Sequence, residues 1–172
     1  MFRSVDSTVF KKPVSLMSFE EVVTAYKNTV YGIALTRTGN STDADDIFQE
    51  VFLAYHRYQP DFNDEEHRKA WLIKVTENCV KMFLKKNRRN TVEYNEALSD
   101  RLISFETEEE NAVYSALLEL PEKYRTVIYK HYFIGLSAEE IGKTLHMRGG
   151  AVRMRMLRGR EMLREKLKGE YL

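Results

Sequence analysis

The chain has 172 residues with 27 Lys and Arg against 26 Asp and Glu, and a net charge of +1 singles out no polyanionic partner. A hydrophobic share of 43% suffices for one medium core or two small ones, while a single cysteine, Cys79, excludes an internal disulfide framework. No apolar run is long enough to cross a bilayer and residues 1–13 lack the apolar centre of a secretory signal, so a soluble, intracellular protein of a reducing cytoplasm is expected.

With 8 Gly and 3 Pro, turn punctuation is sparse, which favours long helices. Residues 1–17 show no period and read as an arm. Ser18 with Glu21 forms a capping-box pattern, and Phe19, Val22, Val23, Tyr26, Val30, Ile33 and Ala34 then recur at helical spacing until Gly39-Asn40 stops the helix. Thr42 is positioned to cap a second helix, whose expected buried stripe is Ile47, Val51, Ala54, Tyr55 and Tyr58. Gln59 to Asp64 reads as a loop. A third helix is expected over Glu65 to Lys86, with Trp71, Leu72, Val75, Cys79, Met82 and Phe83 inward.

Acids gather between Thr91 and Glu110 where helical period weakens, as in a linker between two domains. Helical character resumes over Ala112 to Leu120. Pro121 suits the first position of a helix running to Phe133, because it has no amide hydrogen to leave unpaired. Ser137 with Glu140 is a second capping box, opening a short helix with Ile141 and Leu145 inward. His146 to Gly149 can turn tightly, and a basic helix follows over about Gly150 to Lys168 with Val152, Met156, Met162 and Leu163 facing inward. No stretch alternates with period two. The fold class is therefore all-α, with two small helical domains joined by a linker.

A short helix, a tight turn and a longer basic helix make a helix-turn-helix, whose second helix can enter a major groove. Arg148, Arg153, Arg155, Arg158 and Arg160 project from that stretch with almost no acid among them, and the guanidinium fork can grip phosphates or guanine edges with two donors. On the second helix, Asp46, Gln49, Glu50 and Leu53 share a face away from Ile47 and Val51, which suits a basic partner. On the third, Lys74, Lys81, Lys85, Lys86, Arg88 and Arg89 supply phosphate attraction. No cofactor, metal site or catalytic centre is expected: His56, His67, His131 and His146 have no ligand spacing, and Asp43, Asp45, Asp46 and Glu50 lack convergent partners for a phosphoryl-transfer metal. Cys79, near Val75 and Met82, reads as inert core.

Two runs in the second half, Leu118 to Ile128 (LELPEKYRTVI) and Tyr132 to Ile141 (YFIGLSAEEI), resemble region 4 of sigma-70-family RNA polymerase sigma factors, nearest to the extracytoplasmic-function (ECF) branch. Asp43 to Leu53 (DADDIFQEVFL) is similar to the core-binding helix of region 2, and Arg68 to Cys79 (RKAWLIKVTENC) to the helix that follows it. The resemblance implies domains at 18–90 (region 2) and 108–172 (region 4), with a linker at 91–107. It implies that Asp46, Gln49, Glu50 and Leu53 dock the β′ coiled coil of core polymerase, that the second domain touches the β flap, and that its arginines read −35 promoter DNA. It further implies that the lysine-bearing third helix handles −10 DNA, that Phe62 and Asn63 in the preceding loop catch an extruded base, and that an anti-sigma factor controls a chain that is monomeric when free. Trp71 is expected in the core rather than stacked on a base. His146, Arg148, Ala151 and Met154 depart from the family's usual glycine, serine or proline, threonine and serine, which leaves the −35 sequence open. A helix-turn-helix DNA-binding regulator with a helical N-terminal sensing or dimerisation domain would account for the second half but not for the order of the acidic and basic helices upstream.

Overall fold

A computed structural model describes residues 17–87 and 107–170, and those residues hold seven α-helices and no strand. They are α1 (Phe19–Thr38), α2 (Ser41–Tyr58), α3 (Glu65–Lys86), α4 (Glu108–Leu118), α5 (Glu122–Tyr132), α6 (Ala138–Leu145) and α7 (Gly149–Glu170).

Local chemistry sets most boundaries. Ser18 Oγ accepts from the Glu21 amide, and the Ser18 amide donates back to the Glu21 carboxylate at 2.8 Å. Gly39 ends α1 at φ +69°, a conformation that costs glycine little. The cap of α2 is Asn40, whose side chain accepts from the Asp43 amide at 3.1 Å; Thr42, expected in that role, lies within the helix. Both are capping residue types, and Asn40 prevails because the chain leaves Gly39 already extended there. Asp64 caps α3 and Thr107 caps α4, so α4 starts earlier than periodicity indicated. Pro121 sits one residue before α5 rather than at its first position, with ψ 141° still extended. The Ser137–Glu140 capping box opens α6 as expected, and His146 ends it at φ +54°.

Helix α1 is the centre of the molecule. Its C-terminal half, from Val30 to Thr36, is buried on every side, because α2 and α3 cover one flank and α5 the other. One continuous apolar core consequently runs from Val22 through Leu72 and Val80 into Tyr114, Leu117, Ile128 and Ile134. A smaller cluster of Val127, Ala138, Ile141 and Val152 holds α5, α6 and α7 together. The two halves are packed on each other rather than built around wholly separate cores.

Three expected core residues are exposed. Tyr58 (70%) is the last residue of α2, and Met82 (73%) lies at the edge of the α3 stripe while Phe83 and Leu84 beside it pack on the core; Met162 is exposed on α7. Leu145, Met156 and Leu163 are half-buried and packed inward, as expected.

Candidate functional site

On α2, Ala44, Ile47 and Val51 are buried, which turns Asp46, Gln49 and Glu50 outward together with Leu53, 54% exposed. These four therefore share an open face. Beside it lies a shallow apolar groove of about 280 Å³ lined by Phe19, Val23, Phe48, Gln49, Phe52 and Leu53. Partial burial and then the neighbouring Asp46 charge hold the Asp43 carboxyl above its ordinary range. An acidic rim over an apolar floor suits a helix carrying both basic and apolar side chains.

The loop between α2 and α3 is pinned by aromatic rings. Phe62 stacks on Tyr55 (6.2 Å, 8° between planes), meets Trp71 edge-on at 5.9 Å, and has the Arg68 guanidinium 5.5 Å from its centroid. Phe62 is thus half-buried inside the chain's own cluster, whereas Asn63 is exposed. Trp71 packs against the core as expected. Arg68, a residue that periodicity alone gave no role, is almost fully buried: it pairs with Glu65, and Tyr26 donates its hydroxyl to the Glu65 carboxylate at 2.7 Å. Burial, then that bond, raises the Tyr26 phenol. A polar hollow of about 350 Å³ opens beside this network, bordered by His56, Gln59, Asp61 and Phe62.

The cations of α3 divide. Lys74, Lys85 and Lys86 are exposed, and Lys81, also exposed, sits 3.1 Å from His146 Nε2. Arg88 and Arg89 lie outside the described residues. Cys79 is half-buried, and burial followed by the Glu50 charge raises its thiol, in keeping with an unreactive side chain.

In the second half, Gly142 allows α6 to approach the turn, since a Cβ there would collide with the Met147 carbonyl. Val152 is fully buried, and Gly159 lets α7 lie against Ile128 and Tyr124. Arg148, Arg153, Arg158 and Arg160 consequently face solvent, with Arg155 half-buried. Several already have partners within the chain. Arg153 meets Glu139 at 2.5 Å and holds that carboxyl below its ordinary range; Arg160 donates to the Tyr132 hydroxyl at 3.3 Å; Arg158 draws the Tyr124 phenol downward. Met154 and Leu157 are exposed among these cations, an apolar component that the arginine pattern hid.

Among the described residues, no three His, Cys, Asp or Glu side chains are grouped to hold a metal, and no helix is long and apolar enough to cross a membrane.

Comparison with known proteins matches the Sigma-70 region 2 model to residues 22–90 and the Sigma-70 region 4 model to residues 110–163. Among curated relatives, the ECF RNA polymerase sigma factor SigW of Bacillus subtilis is 29% identical over 167 residues, covering 88% of this chain and 89% of its own. The RNA polymerase sigma factor SigZ of the same organism is 30% identical, covering 77% of each chain. In fold, the chain resembles the sigma factor RpoE of Bartonella quintana, solved in complex with the anti-sigma factor NepR: TM-score 0.65, 20% identity, 87% of this chain and 96% of that one.

Proposed function

Because this chain belongs to the sigma-70 family of RNA polymerase sigma factors, among the ECF members, we propose that its open α2 face holds core polymerase while α3 and α7 hold promoter DNA. It is an alternative sigma factor that directs transcription initiation.

The observation that carries the division of labour is the segregation of surfaces. Asp46, Gln49, Glu50 and Leu53 are open beside an apolar groove on α2, whereas exposed cations concentrate on α3 and α7. On this reading α2 grips the β′ coiled coil, the second half rests on the β flap, and α7 enters the −35 major groove with Arg148, Arg153, Arg155, Arg158 and Arg160. Lys74, Lys81, Lys85 and Lys86, with Arg88 and Arg89, hold the −10 backbone. Asn63 supplies edge hydrogen bonds to an extruded base, and Phe62 lines the hollow that receives it. Binding energy opens the duplex, and the chain performs no covalent chemistry. An anti-sigma partner, as in the complex of the Bartonella relative, restrains a chain that is otherwise monomeric in the bacterial cytoplasm.

The test is a pull-down with purified core polymerase followed by transcription in vitro on genomic fragments. Core capture and discrete start sites are expected. A chain that ignores core but binds promoter fragments alone would be an ordinary helix-turn-helix regulator.

A further inference from the structure

Along the exposed side of α7 the side chains are sorted by type. Counting about 100° per residue from the buried Val152, the residues Gly150, Met154, Leu157 and Glu161 fall on the far side of the helix, roughly 140° to 180° round. Met154 is 51% exposed and Leu157 43%, and neither belongs to the apolar clusters of the interior. Arg153 lies to one side of this line and Arg158 to the other, each about a third of a turn from Val152. Both are anchored within the chain, Arg153 on Glu139 and Arg158 on Tyr124. Arg160, on the same side as Arg153, donates to the Tyr132 hydroxyl. The helix thus carries a central apolar line with guanidinium groups along both edges.

We propose that Met154 and Leu157 read the −35 element through the C5-methyl group of thymine, so that an A·T pair is selected by its methyl where these two side chains meet the floor of the groove. The inference rests on the sigma-factor reading, which brings α7 into the −35 major groove, and adds to it the group on the DNA that the centre of the helix selects. Phosphate contacts from the flanking arginines hold the helix in register but carry no sequence information. On the floor of the major groove the base edges present hydrogen-bond donors and acceptors, and the one apolar group among them is that methyl. A thioether sulfur accepts only weakly, a leucine side chain not at all, and neither donates. Over a polar base edge they would displace water without replacing its hydrogen bond. Over a methyl they remove apolar surface from water on both partners.

The ends of the line set how much sequence it can cover. Gly150 continues it toward the start of α7, and a Cβ built there would meet no atom within 4 Å, so packing inside the chain does not demand the glycine. Its missing side chain lets the first turn of α7 come close to the DNA. Glu161 closes the line at the other end, because its exposed carboxylate repels phosphates. The stretch from Gly150 to Leu157 is about 10 Å long and spans about three base pairs. A protein partner is disfavoured by the same layout. Two apolar side chains between two rows of arginine would need acids on both flanks of the partner, whereas a DNA groove supplies two walls of phosphate.

The test uses the full chain joined to core polymerase, and synthetic promoter duplexes whose −35 thymines are replaced one at a time by uracil, which differs only in lacking the methyl. At one position, or at two neighbouring ones, uracil should weaken binding about fourfold, the effect of losing one buried methyl group. In the double variant Met154→Ala with Leu157→Ala that difference should vanish. Melting temperature and core capture should stay as in wild type, because both side chains are exposed. Equal binding of thymine and uracil duplexes at every position overturns the proposal. So does a mapped −35 element without an A·T pair, or a thymine preference that survives in the double variant. Failure of the chain to be captured by core would instead overturn the sigma-factor reading, and the same duplexes then test the two side chains on the free chain.

Discussion

Helices α3 and α7 are each 22 residues long and each carries a cationic edge, yet they are held in opposite ways. Helix α3 buries Arg68, Leu72, Ile73, Thr76, Glu77 and Val80, so its lysines are the rim of a structural member. Helix α7 lies along α4, α5 and α6 but, among its described residues, buries only Val152 and Gly159 and leaves most of the rest exposed. A basic helix can thus be a beam within a core or, on the proposed reading, a reading head held against it by a narrow stripe. Substitutions on α3 should mix stability with binding, and those on α7 should separate them.

The largest expected effect tests that contrast directly. Leu72→Ala should cost about 3 kcal/mol of global stability in denaturant titration, the usual range for a buried leucine truncated in a tight core. Val152→Ala should cost about half as much, because it removes fewer methyl groups from a smaller cluster. Equal losses would erase the distinction between beam and reading head. Next, Leu53→Ala should weaken core-polymerase affinity by about 2 kcal/mol, roughly thirtyfold, with no change in melting temperature. A shift in melting instead would mean that the side chain is structural.

Smaller effects sharpen the picture of α7. Arg155→Ala should lower the slope of log affinity against log salt by about one for promoter DNA bound with core. Arg153→Ala should change it less, since that guanidinium must first leave Glu139. Identical slopes for the two variants would show that the Glu139 contact does not compete with DNA. Least of all, Ser137→Ala should cost about 1 kcal/mol by removing the cap of α6. Its partner Glu140 is held below its ordinary range by the bond from the Ser137 amide. Its contribution is therefore present above the usual glutamate range and lost as pH falls through the depressed value. In thermal melts, wild type should lose more stability than Glu140→Gln across that acid window.

Much of this was legible in the sequence wherever the controlling interaction is local. Ser18 with Glu21, Ser137 with Glu140, and Gly39 each act within a turn or so of themselves, and each helix boundary they govern was correctly placed. The outward face of α2 followed from 3.6-residue spacing around Ile47 and Val51. What escaped is long-range. Lys130 and Glu77 look like ordinary surface charges, and their burial depends on α5 lying against α1 and α3, which no local period encodes. Arg68 was hidden for the same reason, because its setting is made with Tyr26, Glu65 and Met17 on other elements or turns. Tyr58 and Met82 failed in reverse: each fits the helical period, but Tyr58 is the last residue of α2 and Met82 sits at the edge of a stripe that runs through Leu72, Thr76 and Val80.

The glycine at position 32 gives the packed state one point of particular sensitivity. Any side chain there would act as a doorstop against Tyr129 while leaving every exposed side chain of α2, α3 and α7 unchanged. A screen for destabilised variants should therefore collect changes at this buried, chemically blank residue, which carries neither charge nor hydrogen-bonding side chain.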